Sequence, residues 1–310
     1  MPPIPTILDC DPGHDDAIAL LLALASPELA LLGVTTVAGN QTLAKTTANA
    51  IRVLDHLGRD DLPVAAGAPR PIVREPHVAA GVHGDSGLDG PDLPPPAREP
   101  DRRHAIDWIA GTIATSPAPV TLIATGPLTN VALLLARYPE LESRLGRIVL
   151  MGGAIGEGNV TPAAEFNIWA DPEAAQRVFS SGLELTMVGL DVTNRALMTP
   201  AHAERLAGAG AGGRLVADLY RFYGQYHRRT YGSNGAPVHD AVAVAHVIDS
   251  ALVQTRHCGV AIDTGPELSR GRTNVDRWGV AGWQPNCHVA VEIDTERFFE
   301  LLIGRIVELG

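Results

Sequence analysis

Lysine is almost missing from this chain: Lys45 stands alone among 24 basic residues, and the rest are arginines. A phosphate-cradling P-loop needs Gly-Lys-Ser/Thr, and Lys45 follows Leu43-Ala44, so that class is excluded. A pyridoxal-phosphate enzyme would have to use Lys45 itself. Cysteine is as scarce. Cys10, Cys258 and Cys287 form no CxxC pair, so neither a disulfide framework nor a four-thiolate zinc site can be built. Scattered thiols in odd number suit a reducing compartment. Positive charge is in deficit too: 24 basic against 35 acidic side chains leave a formal charge of −11. That argues against broad nucleic-acid binding, which draws its affinity from cations meeting phosphates, but not against recognition of a neutral fragment of nucleic acid. The most apolar run, Ala17 to Ala25, is far short of the ~20 residues that span a bilayer, and Ser26-Pro27-Glu28 ends it. The opening MPPIPTILDC has no basic segment before an apolar one, so no secretory signal is read. The expectation is a cytoplasmic protein with no membrane partner.

What is present is ordinary globular material, 45% hydrophobic and 19% charged. Thr6–Leu8, Leu29–Val37, Val120–Ala124, Ile148–Met151 and Leu185–Val188 read as buried strands. Helical patterns over Ala17–Ala25, Leu43–Leu57, Ala105–Thr115, Leu128–Arg137 and Glu173–Phe179 lie between them. This alternation predicts an α/β fold, an open and mostly parallel sheet flanked by helices. Asp171-Pro172 reads as a helix N-cap followed by a first-turn proline. Gly67–Pro100 and the Gly/Ala-only stretch Gly208–Gly213 read as long loops inside one domain, residues 1–310, because regular patterns resume on both sides. In such folds ligands sit outside the carboxyl ends of the strands, so the residues just after each strand are where chemistry belongs.

Four aspartates fall within eight residues after the first strand: Asp9, Asp11, Asp15 and Asp16. Strand alternation sends Asp9 and Asp11 to one face and Cys10 to the other. Pro12-Gly13 turns the chain, and Asp15 and Asp16 open a helix. Capping needs one acid, and a helix N-terminus offers only about half a positive charge, so the cluster calls for a cation. An all-oxygen donor set favours Ca²⁺ or Mg²⁺ over zinc. Asp240, at the cap of the apolar helix Ala241–Ile248, is a candidate further ligand, although simple N-capping would also place an aspartate there. A backbone carbonyl of Thr125-Gly126-Pro127 could reach the same sheet edge. Asn40, Asn159 and Glu165-Phe166-Asn167 put amide and carboxylate groups after successive strands, and such groups bind sugar hydroxyls well.

With these blocks in view, the chain resembles the inosine/uridine-preferring nucleoside hydrolases. The carriers are ILDCDPGHDDA (7–17), TTVAGN (35–40), HGDSGLDG (83–90), TGPLTN (125–130), MGGA (151–154), GNVTPAAEFNIWADPEAA (158–175), PVHDAVAV (237–244) and VAVEIDTERFF (289–299), which together cover nearly the whole length. The resemblance implies hydrolysis of the N-glycosidic bond of ribonucleosides with a bound Ca²⁺, assembly as homodimers or homotetramers, and a place in nucleoside salvage. It implies Asp11, Asp16, Asp240 and the backbone oxygen of Thr125 as metal ligands, and Asp11 as general base. Asp15, Asn159, Glu165 and Asn167 would bind the ribose, with Phe166 beside them; Asn40 would orient the water, and Asp9 would support. His239 would be the leaving-group acid and His83 would line the base pocket, histidine suiting the task through its near-neutral pKa. Tyr223, Tyr226 and Tyr231 lie where the family places aromatics over the base. His83 favours the inosine/uridine or pyrimidine branch over the purine-specific one, which stacks the base between tryptophans. Asp85 stands where Glu is common and Asn194 where His is common.

Two rival readings stay open at this point. A phosphotransferase of the haloacid-dehalogenase type would use Asp9 as nucleophile, but it needs a later lysine that the chain lacks. A Ca²⁺-dependent nucleoside- or ribose-binding protein without catalysis would share the same cleft.

Overall fold

The computed structural model describes residues 2–265 and 268–310. Six strands follow the predicted alternation: β1 (Ile4–Cys10), β2 (Leu29–Thr36), β3 (Val64–Ala66), β4 (Val120–Ala124), β5 (Leu145–Met151) and β6 (Leu185–Val188). A two-stranded ribbon, β7 (Leu197–Met198) and β8 (Ala236–Pro237), precedes β9 (Val253–Ile262), β10 (Thr273–Asp276) and β11 (Cys287–Ile293). Nine of these form one sheet in the order β10-β9-β11-β6-β5-β4-β1-β2-β3. It is parallel from β3 through β11 and antiparallel at the β9 and β10 edge, which the sequence reading did not foresee.

Alternation along β1 divides the core. Leu8 and Cys10 face one layer, packed by the helices His14–Ala25, Gly210–Tyr231, His239–Ile248 and Thr295–Leu309; Ile7 faces the other, packed by Ala105–Thr115, Thr129–Arg137 and Pro172–Phe179. The chain winds from β1 outward to β3, then returns to lay β4 on the other side of β1. The carboxyl ends of β1 and β4 therefore border a topological switch point, where open α/β sheets form their ligand crevice.

All five predicted strands and all five predicted helices are present, with boundaries moved by three residues or fewer. Two expectations are corrected. Gly208–Gly213 is not a loop throughout, since a helix starts at Gly210 and runs to Tyr231. Its small residues serve close contact: a Cβ on Gly213 would lie 2.3 Å from the Leu206 carbonyl oxygen, and one on Gly210 would lie 1.8 Å from the Gly310 carbonyl carbon. Asp240 is not a cap, because the helix opens at His239 with Val238 as N-cap, leaving Asp240 in the first turn. The Asp171 cap holds as expected, its carboxylate accepting from the Ala174 amide at 3.1 Å. Among the described residues, no helix is long and apolar enough to cross a membrane.

Candidate active site

After β1 the chain makes the Asp11-Pro12-Gly13 turn and enters a helix that is buried from His14 to Ala23. Asp16 closes that turn, its Oδ2 accepting from the Gly13 amide (3.0 Å) and its Oδ1 from the Asp11 amide (3.3 Å). Oδ1 also accepts from the Thr125 hydroxyl (2.8 Å), tying β1 to β4. The helix that carries Asp240 packs against this one, so two helix N-termini aim at the same point. Oxygens of Asp15, Asp16 and Asp240 lie within 4.8 Å of one another.

Asp11 sits beside this trio and is fully buried. Its Oδ2 accepts from the Asn40 amide at 2.6 Å, while its Oδ1 is buried without a partner. Glycines make room for it: a Cβ on Gly39 would fall 2.1 Å from Oδ2, and one on Gly126 would fall 2.7 Å from Oδ1. This explains the glycines of TTVAGN and TGPLTN. Burial, reinforced by Asp16, pushes the Asp11 carboxyl well above the ordinary carboxylate range. Burial and the same neighbour raise Asp15 to about 8, and burial with the charges of Asp15 and Asp16 pushes Asp240 well above the ordinary carboxylate range. Carboxylates so placed hold protons unless a cation replaces them. An orphaned oxygen in a nest of hard donors, with no His or Cys in the trio, fits a divalent cation of the oxygen-seeking kind.

Above the nest opens a cavity of about 690 Å³, within the range for small-molecule sites. Asp15, Asn40, Thr125, Glu165, Asn167 and Asp240 line its polar end. Asn167 is held by its Nδ2, which donates to the backbone oxygens of Thr125 (2.7 Å) and Met151 (3.1 Å). Glu165 caps its own short helix, accepting from the amides of Asn167, Ile168 and Gly153, and burial raises it to about 7. Asn159 is exposed; its Oδ1 accepts from the Phe166 amide, and both residues border the cavity. Asn40 donates its Nδ2 to Asp16 Oδ2 (3.1 Å).

The other end is aromatic. His83, Tyr223, Tyr226, His227, Tyr231 and His239 line it. His239 places Nδ1 2.8 Å from the Thr193 hydroxyl, leaving Nε2 for the cavity. Burial lowers its pKa to about 3, so near pH 7 it is a neutral imidazole, not the near-neutral acid expected from histidine's ordinary value. None of the described tryptophans lines the cavity: Trp108 is core, Trp169 stacks under Arg74, and Trp278 and Trp283 lie on the exposed segment between β10 and β11. Asn194 borders the cavity and Asp85 does not.

Asp9 lies outside the cavity lining, fully buried, with Oδ1 accepting from the Thr35 hydroxyl (2.5 Å) and the Asn130 amide (2.8 Å). Asp11 and Asp16, also buried, are likewise not among the lining residues. The sequence reading missed His227 and His14. His227 was legible as the middle of a 223–227–231 stripe, one helical face, once Gly210–Tyr231 is taken as a helix. His14 had no signal of its own.

A family model described as inosine-uridine preferring nucleoside hydrolase matches residues 6–300. A pyrimidine-specific ribonucleoside hydrolase RihA of Shewanella sp. (strain ANA-3) is 52% identical over 304 residues, 97% of this chain and 96% of that protein. The protein of the same description from Salmonella arizonae is 50% identical over 309 residues, 99% of each chain. Among solved structures, a plant nucleoside hydrolase superposes with a TM-score of 0.93 at 33% identity, covering 99% of both chains.

Proposed function

Because this chain belongs to the inosine-uridine preferring nucleoside hydrolase family, and so is an N-glycosyl hydrolase acting on ribonucleosides, we propose how its own residues perform that reaction and on which base. The substrate is a pyrimidine ribonucleoside. Support comes from the two relatives named pyrimidine-specific and from the histidine- and tyrosine-lined end of the cavity, which carries no tryptophan among the described residues.

Asp11, Asp16, Asp240 and the backbone oxygen of Thr125 would hold Ca²⁺, for which the partnerless Asp11 Oδ1 is the carrying observation. When bound, the cation supplies the positive charge that acidifies a water and grips vicinal hydroxyls. Asp15, Asn159, Glu165 and Asn167 bind the ribose, with Phe166 packed beside it. Asn167 presents its side-chain oxygen because its Nδ2 is already spent on two carbonyls. Asp11 takes the proton from the attacking water, which Asn40 orients. As the water oxygen bonds to the anomeric carbon, the glycosidic electron pair leaves with the base. The positive charge that grows on the sugar meets the carboxylates below it. His239 and His83 meet the departing base as neutral donors. Tyr223 packs against the base, and Asp9 holds the end of β1 from behind.

Assembly as a homodimer or homotetramer, in the cytoplasm and in nucleoside salvage, belongs to the same reading. Exposed Trp278, Val280 and Trp283 offer an apolar surface for self-association.

One assay tests the core of it: reducing-sugar release from uridine, cytidine and inosine, with Ca²⁺ or with a chelator, and phosphate release as control. Turnover of the two pyrimidines well above inosine, lost with chelator, is the expected result. Inosine cleaved equally well overturns the specificity, and binding without sugar release makes the protein a receptor.

A further inference from the structure

His14 follows the glycine of the metal-loop turn and precedes Asp15 and Asp16, yet its ring turns away from the carboxylates. It is fully buried and stacks against three rings: His83 (centroids 5.4 Å apart), Phe222 (5.3 Å) and Tyr223 (5.4 Å). The backbone N–H of His14 donates to Nδ1 of His83 at 3.2 Å. That amide pins the Nδ1 edge of the His83 ring. Nδ1 of His14 lies 3.1 Å from that same nitrogen, so no water separates the rings. Nε2 of His14 lies 2.8 Å from the carbonyl oxygen of Asp89, which anchors the far side of the ring.

Asp89 in turn folds the loop that carries His83. Its carboxylate accepts from the amides of Asp85 (3.0 Å) and Ser86 (3.0 Å) and from the Ser86 hydroxyl. Gly84, at φ +79°, lets the loop wrap that carboxylate. Gly13 completes the clamp, since a Cβ there would stand 2.6 Å from His83 Nδ1. Nε2 of His83, opposite the held nitrogen, has no protein partner among the described residues, and the residue lines the cavity.

We infer that His14 is the positioning residue of His83: it fixes the ring's orientation so that the Nε2 edge faces the departing base. The inference rests on the reading above, in which His83 hydrogen-bonds that base. It links the cation turn to the base pocket through two consecutive residues, Gly13 and His14.

The test compares uridine with p-nitrophenyl riboside, whose leaving group needs no hydrogen bond from the protein. His14→Phe keeps the stacking and removes both ring-nitrogen contacts. It should lower kcat on uridine about tenfold to a hundredfold, with KM and p-nitrophenyl riboside turnover within about threefold of wild type. His14→Asn, which keeps a polar group near Nδ1, should recover part of the loss. Equal loss on both substrates, or none, overturns the inference. His83→Ala run in parallel separates the two levels. If it is selective for uridine while His14→Phe is not, the positioning role alone fails; if His83→Ala also falls equally on both substrates, the reading beneath it fails and takes the inference with it. Nitrogen-15 spectra of histidine-labelled protein give a second readout: with His83→Ala used for assignment, the His83 ring signals should shift in His14→Phe relative to wild type, and unchanged His83 signals overturn the proposal.

Discussion

The amide of Asn40 donates to Oδ2 of Asp11 at 2.6 Å, while Oδ1 of the same buried carboxylate meets no partner. One oxygen is locked by the backbone and the other kept open, which suits a group that must bind a cation and accept a proton. Asp11→Asn preserves shape, removes proton acceptance and leaves only a neutral, weaker oxygen for the cation. It should lower kcat on uridine by at least about a hundredfold, the lower end of what general-base loss costs, with an unchanged circular-dichroism spectrum. Retention of a tenth of wild-type activity would remove Asp11 from the base role.

The protonation of the nest sets how stability responds to pH in the metal-free protein. Asp15, raised to about 8, and Asp11 and Asp240, both pushed well above the ordinary carboxylate range, bind more protons folded than unfolded. Their stabilisation is complete below the unfolded carboxylate pKa and is lost as pH climbs through the folded values. Buried His14, His227 and His246, each at about 4, and His239, at about 3, act oppositely, but their contribution is already complete above the unfolded histidine pKa, about 6.5. Above about pH 7.5, where unfolded histidine too is neutral, the carboxylates alone act, so the melting temperature of chelator-treated protein should fall. Added Ca²⁺ should raise it more at pH 8 than at pH 6.5, since the ion displaces protons. A melting temperature that rises above about pH 7.5 without metal would contradict the protonated nest.

In the mechanism proposed above His239 meets the base as a neutral imidazole, so its effect should depend on how much help the leaving group needs. His239→Ala should slow uridine by about a hundredfold or more and p-nitrophenyl riboside far less. Equal losses would assign the residue to sugar binding instead.

Asp171 serves structure. It caps the helix Pro172–Phe179, and its other oxygen accepts from the Thr129 hydroxyl (2.7 Å) and the Ile72 amide (2.9 Å). Asp171→Ala leaves buried donors unpaired and should cost about 2–4 kcal/mol, read as a lower urea midpoint. A loss under about 0.5 kcal/mol would mean those donors find water.

Parallel strands and the helices between them were legible because burial on both faces writes them as plain apolar runs: Val120–Ala124 and Leu185–Val188 match to the residue. The β9 and β10 edge was not, since Val253–Ile262 mixes Gln254, Arg256 and His257 with its apolar positions. Likewise the four aspartates announced a cation site, but not that Asp11 would be cradled with one oxygen left free. That depends on Gly39 and Gly126, which come from other strand ends. His14 was invisible for a related reason: its partners, His83, Asp89 and Tyr223, are distant in sequence and meet only through the sheet.

Asp16 and Asp240 lie far apart in sequence and close on one another through two abutting helices. A nascent chain that has emerged only as far as residue 230 carries most of the acidic groups but nowhere to gather them. A cation held there could therefore stabilise only a chain that has passed residue 240. The ion doubles as a seal of completeness, and a prematurely terminated copy would be idle and fragile together.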